Sequence, residues 1–423
     1  MALPCKTGAA FKKYLLLLAQ ENCEFRLPEI KSLLSLYGGH FNNLQDEHGK
    51  SPFCILNLPS EEMARKLMKR TVCAKSVFEL WGHGKTFMEF QQSVLSYPLE
   101  NMMSYLQPNS TYKIIIHSFN KTLTQKEKLE KINTMEFIPF QGKVNLQNAE
   151  NIFYLLEDYG SDPNKAPNEP FEIFFGRWIA DGQRELINSY SVKKRHFIGN
   201  TSMDAGLSFI MANHARVKPN DVVFDPFVGT GGLLVSSAHF GAYVCGTEID
   251  YNTVHGLAPY GIRESTRKTG TQKEIIKTEL FPESHVPVQL NYHLSDIFSD
   301  LFAFASEFLV TGGRLVYWLP VYRPEYTEEV LPRHPCLKLI SNCEQMLSSH
   351  TSRRLITMEK VKEFEEKYQY AHLGEGQNLP YKGHNSFREK YFSGLKKRTA
   401  REERARSEMA NAENVKSKGK EDV

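Results

Sequence analysis

The chain has 423 residues, with 52 Lys+Arg against 49 Asp+Glu and a formal net charge of +3. Its 41% hydrophobic and 12% aromatic content supplies real cores and excludes wholesale disorder. Near-balanced charge excludes a histone-like basic protein but leaves room for a local nucleic-acid patch, and at roughly 150 residues per domain the length favours two to three domains.

The first apolar run, Tyr14-Leu15-Leu16-Leu17-Leu18-Ala19, is far short of the roughly 18 residues a membrane span needs. It ends in Gln20-Glu21-Asn22 without a small-residue cleavage site, so a packed strand or helix explains it better than a signal peptide. Residues 27–36 predict a helix entered through Pro28 and stopped by Gly38-Gly39. Residues 53–58 read as a strand. Ser60, an N-cap residue followed by Glu61 and Glu62, opens a helix over 60–68. Residues 72–81 and 112–119 are β-like, and 124–135 form a charged amphipathic helix. Short mixed elements of this kind make an α+β binding module over residues 1–160.

Residues 161–190 read as a linker, with Pro163, Pro167 and Pro170 at its start and a strand-like stretch over 171–180. A second domain is expected over 191–395. It opens with the basic run Lys193-Lys194-Arg195-His196, and a helix is expected over 203–217. A strand at 222–224, a glycine loop, a helix and a strand at 242–246 begin a doubly wound α/β sheet. A long helix over 294–310 and a strand over 314–319 follow. The tail, 396–423, holds nine Lys/Arg and six Asp/Glu and almost no apolar residues, and reads as a solvated end. The seven cysteines are scattered and include no C-x-x-C pair, which argues against a disulfide framework or structural zinc and for a reducing compartment, the cytoplasm by default.

The sharpest motif is Asp225-Pro226-Phe227-Val228-Gly229-Thr230-Gly231-Gly232, between a strand and a helix. Glycines there let backbone approach a ligand and turn into the helix. No Lys follows, which disfavours a triphosphate loop, and the glycine spacing is tighter than in the dinucleotide fingerprint. An acid at the strand end suits a ligand with an ammonium group. Glu248 and Asp250, beyond the next strand, are placed to accept ribose hydroxyls. Together these features indicate S-adenosylmethionine.

These segments resemble the THUMP-domain methyltransferases that modify RNA bases, and among them those acting on guanine-10 of tRNA. The likeness also runs through residues 72–82, 175–182, 193–204, 312–320 and 383–392. It implies an N-terminal ferredoxin-like and THUMP module that binds tRNA, a Rossmann-like methyltransferase domain, and a small zinc-binding activator subunit as partner. By the same resemblance Asp204 lies near the cofactor pocket.

One segment departs from the family. Its Asp-Pro-Pro-Tyr motif corresponds here to Leu257-Ala258-Pro259-Tyr260, with no carboxylate. Only residues 251–258 separate Asp250 from Pro259, where two further strand–helix units belong, so about 50–60 residues are absent. In the family the Asp side chain and the first Pro carbonyl accept the hydrogens of the exocyclic amine, and the aromatic residue stacks on the base. Pro259 and Tyr260 are the remnant. The expectation is an impaired tRNA guanine N2-methyltransferase subunit; the rivals are a non-catalytic tRNA-binding or activator-sequestering variant and a DNA amino-methyltransferase. Lys193, Lys194, Arg195, Arg353 and Arg354 are candidate RNA phosphate contacts. His214, His239 and His255 lack metal-ligand spacing, and no metal or membrane partner is expected.

Overall fold

The computed structural model describes residues 11–39, 51–195, 197–199, 202–255 and 294–366. Pro259, Tyr260, the 383–392 segment and the tail lie outside them. The chain divides into two compact units, Met1–Gly270 and Thr271–Val423.

In the first unit the elements run β1 (Lys12–Leu18), α1 (Cys23–Leu36), β2 (Phe53–Leu58), α2 (Glu61–Met68), β3 (Ala74–Gly84), α3 (Phe87–Leu95), α4 (Leu99–Met103), β4 (Thr111–Phe119), α5 (Gln125–Asn133), β5 (Lys143–Val144), β6 (Asn151–Asp158) and β7 (Glu172–Asp181). The strands form one seven-stranded sheet in the order β2-β1-β3-β7-β6-β4-β5. The local signals for the helices hold. Ser60 accepts from the Met63 amide at 3.3 Å, and Thr124 and Glu127 close a reciprocal capping box at α5.

Two boundaries are corrected. First, α1 begins at Cys23, so Pro28 sits inside the helix. The ring removes the second-turn amide that would donate to the Glu24 carbonyl, and burial of Phe25, with Arg26 donating to the Ala19 carbonyl at 3.3 Å, holds the first turn in place. Second, the stretch read as a linker holds β7, which pairs with β3 and β6 in mid-sheet. The first sheet therefore extends to Asp181.

After β7 come α6 (Glu185–Ser189), α7 (Ala205–His214), β8 (Val222–Asp225), α8 (Gly232–His239), β9 (Tyr243–Gly246) and α9 (Tyr251–Val254). Helix α7 is capped by Asp204, whose Oδ1 accepts from the Leu207 amide at 3.2 Å. A buried polar joint links α7 to the first module. Asn213 accepts from Arg70 Nε and Nη2 at 3.2 and 3.0 Å, and donates to Glu29 Oε1 at 2.7 Å and the Arg70 carbonyl at 3.0 Å. Glu29 also receives the Val72 and Cys73 amides and the Thr71 hydroxyl. Arg70 donates to the Val217 carbonyl at 2.8 Å and lies 3.5 Å from the centroid of the Phe240 ring.

Strands β8 and β9 are parallel and, among the described residues, pair only with each other. In a doubly wound sheet such strands are covered on both faces. Here Val222 and Tyr243 remain 73% and 67% exposed, and Ile249, just beyond β9, 86%. Exposed apolar side chains of this kind on a parallel pair are a surface that other elements or partners can cover. Val222→Lys with Tyr243→Lys is expected to reduce binding of a hydrophobic-surface dye and raise soluble yield. Unchanged dye binding would mean that this face is covered in solution.

In the second unit α10 (Leu294–Phe308) packs on an antiparallel sheet of β10 (Arg314–Tyr322), β11 (Leu337–Met346) and β12 (Thr351–Lys360), ordered β10-β12-β11. Phe298, Phe302, Tyr317, Leu319 and Ile356 form its core. The buried Lys360 ammonium donates to the carbonyls of Glu307 and Leu309 at the end of α10, where a cation is favoured.

Candidate cofactor site

The parallel pair β8–β9 carries its functional groups at the C-terminal ends of the strands, where α/β sheets bind ligands. Asp225, the last residue of β8, is 9% exposed and its Oδ1 accepts from the Phe227 amide at 2.9 Å. Burial, reinforced by nearby Glu248, raises its carboxyl above the ordinary aspartate range, and the Phe227 N–H opposes the shift. The loop then turns through Gly229 (φ +53°) and Gly231 (φ +77°), conformations that favour glycine. A Cβ at either would meet nothing within 4 Å, so bare backbone faces open space. The second strand approaches tightly: a Cβ on Gly246 would lie 2.2 Å from the Asp225 carbonyl oxygen.

Glu248 has a role that its position in the sequence did not disclose. Its Oε2 accepts from the Gly229 amide at 2.7 Å and its Oε1 from the Asp250 amide at 2.9 Å. It braces the loop, and each carboxylate oxygen keeps a further lone pair that can accept a hydrogen bond. Asp250 accepts from Thr253 Oγ1 at 2.7 Å. Asp204, expected near the pocket, is engaged as the cap of α7. Thr230 hydrogen-bonds with Ser202 Oγ at 2.8 Å and receives Arg195 Nη1 at 3.3 Å.

Asp225→Asn separates binding from stability. A carboxyl raised by burial makes the fold lose stability as pH climbs from the unfolded-state value through the raised folded value, so at neutral pH ionised Asp225 destabilises the free protein. The amide is expected to hold or raise the thermal midpoint at pH 7 while weakening binding of a cationic amine at least about tenfold. A lowered midpoint would show that the carboxylate is needed for the loop itself.

The proposed RNA contacts behave differently from one another. Lys193 and Lys194 are exposed in a 3-10 turn. Arg195, next to them, points inward at Thr230 instead of outward. Arg353 lies 4.3 Å from the Trp318 ring centroid and donates to Gln345 at 2.7 Å. Arg354 lies 4.4 Å from the Tyr326 ring centroid and donates to Asn342 at 2.5 Å. Arg354 also lines a cavity of about 380 Å³ with Arg323, Tyr326 and Glu344, in the second unit. Cross-strand partners in the sheet therefore engage both guanidinium groups.

Residues 12–184 match the Tmrp11 THUMP N-terminal domain, and residues 193–279 match the RMKL-like methyltransferase domain. The tRNA (guanine(10)-N(2))-methyltransferase TRMT11 of Xenopus laevis is 88% identical over 478 aligned positions, covering all of both chains. The chain belongs to the TRMT11 family. The mouse TRMT11 is 62% identical over 464 positions, covering 96% of this chain and all of that protein. Crystalline TrmN from Thermus thermophilus superposes with a TM-score of 0.38 at 15% identity, covering 82% of this chain and all of that one.

The Xenopus laevis alignment is longer than this chain. An alignment of 478 positions spanning all 423 residues leaves 478 − 423 = 55 positions without a residue of this chain. They are about 12% of the alignment, the same size as its departure from full identity. Among the described residues, no helix of this TRMT11-family chain is long and apolar enough to cross a membrane.

Proposed function

We propose that this chain binds S-adenosylmethionine by its methionine end on the 225–232 loop and tRNA through its N-terminal module. It is the tRNA guanine-10 N2-methyltransferase subunit of its family, in a form that turns over poorly. The observation that carries the cofactor reading is the bare-backbone cradle at Gly229 and Gly231, held between Asp225 and Glu248. Asp225 would hold the ammonium. Pro226, Phe227, Thr230 and Gly232 shape the loop, and Glu248 with Asp250 would take the ribose. The bound cofactor supplies an electrophilic methyl group on a sulfonium. Lys193 and Lys194 are proposed as contacts to RNA phosphates, and Tyr260 as the group that stacks on the base. The methyltransferase domain is taken to begin near Ser191, a zinc-binding activator is the expected partner, and the cytoplasm is the expected location.

The poor turnover rests on Leu257 and Ala258 standing where a carboxylate belongs, and on the 55 unmatched positions. The same observations favour a second reading, a non-catalytic chain that binds tRNA or sequesters the activator. Calorimetric titration of the chain, co-expressed with the activator, with S-adenosylmethionine tests the first reading. Saturable binding supports it, and its absence from folded protein leaves the tRNA-binding variant.

A further inference from the structure

Arg195 stands apart from the basic run to which it belongs. Lys193 and Lys194 are exposed, whereas Arg195 is half-withdrawn from water with its guanidinium against the glycine loop. Its Nη1 lies 3.3 Å from Thr230 Oγ1, and the same nitrogen would lie 3.8 Å from a Cβ on Gly232. Thr230 is held in turn by Ser202, whose Oγ accepts from the Gly199 amide at 2.9 Å. Arg195 and Ser202 therefore both meet the loop at Thr230.

The charge on Arg195 is not balanced. Among the described residues its one side-chain acceptor is the Thr230 hydroxyl, and no carboxylate pairs with it. Burial pulls its pKa down. A guanidinium has five N–H donors in a planar fork matched to a carboxylate. Structural arginines in this chain satisfy that demand: Arg177 pairs with Glu61 and Glu79, and Arg314 with Glu359.

We propose that Arg195 binds the carboxylate of the cofactor's amino-acid end. The proposal rests on the cofactor reading above and deepens it. An amino acid is a zwitterion. Asp225 offers an anion for the ammonium, and Arg195 is the one cation in hydrogen-bond contact with the loop among the described residues. This removes Arg195 from the RNA contacts and makes it a specificity group, one that distinguishes S-adenosylmethionine from adenosyl compounds with an amine alone.

The test uses two ligands that differ only in that carboxylate, S-adenosylmethionine and decarboxylated S-adenosylmethionine, titrated calorimetrically into the full chain and into Arg195→Gln and Arg195→Lys. The chain is expected to prefer the first ligand by on the order of tenfold to a hundredfold, the size of a charge-assisted contact. Arg195→Gln should erase that preference by weakening the first ligand while leaving the second within about twofold. Arg195→Lys should keep part of it. Equal weakening of both ligands would mean that Arg195 only holds segment 195–202 on the loop, and overturns the proposal. So would an unchanged preference, or loss of tRNA affinity with cofactor binding intact. Failure of the unsubstituted chain to bind either ligand overturns the cofactor reading itself, a result distinct from all of these.

Discussion

Methyl transfer to a tRNA bearing guanine-10 is expected to run at least about a thousandfold slower with this chain than with the mouse relative under the same conditions. The exocyclic amine of guanine delocalises its lone pair into the ring and is a poor nucleophile. It needs acceptors for its two hydrogens, so that the lone pair is directed at the methyl group. Leu257 and Ala258 offer no side-chain acceptor where the resembling enzymes place Asp and Pro. Pro259 and Tyr260, proposed above as the remnant of the motif, supply no carboxylate either. A rate within tenfold of the relative's would show that another group does this work. Restoring the 55 unmatched positions from the Xenopus laevis relative is expected to restore the rate. Leu257→Asp alone is not, because it returns one carboxylate and none of the 55 unmatched positions.

Asn213→Leu is expected to destabilise the first unit by about 3–5 kcal/mol, the range for breaking a buried charged network. The side chain is fully buried and spans opposite charges, its oxygen toward Arg70 and its nitrogen toward Glu29. Leucine fills much of the volume but leaves the guanidinium without two of its bonds and Glu29 without one. In urea, followed by fluorescence of Trp81 and Trp178, the midpoint should fall by roughly 1 M or more. Replacing Glu29 by Leu in the same variant should not recover the loss, because the Val72 and Cys73 amides and the Thr71 hydroxyl that Glu29 accepts would then be left unpaired. A single substitution that moves the midpoint by less than a few tenths of a molar would mean that water enters the joint and satisfies both charges.

Much of the N-terminal sheet was legible because its signals are local. The run 53–58 becomes β2, and Ser60 and Thr124 cap the helices they precede. Strand β6 and the β11–β12 hairpin were not foreseen. In β12, Ser352-Arg353-Arg354 reads as a charge run, yet on a strand consecutive side chains point to opposite faces, and each arginine finds its own ring. The position of β7 in mid-sheet is a long-range fact that the prolines before it concealed. At the site, Gly229 and Gly231 were readable because positive φ favours glycine, and Asp225 because a lone acid ends an apolar strand. The bracing of Gly229 by Glu248, and the inward turn of Arg195 beside two outward lysines, depend on side-chain directions that spacing does not encode.

The exposed apolar side chains on and beside strands β8 and β9 also bear on how long the molecule lasts. Chaperones and proteases sort proteins by how often apolar segments stay within reach, and a fraction exposed at equilibrium becomes a rate of removal. Val222, Tyr243 and Ile249 are accessible without any unfolding, so their capture requires no opening step. A cell making this chain beside a full-length relative would hold it at low abundance through turnover, and its steady-state level would rise when the proteasome is inhibited.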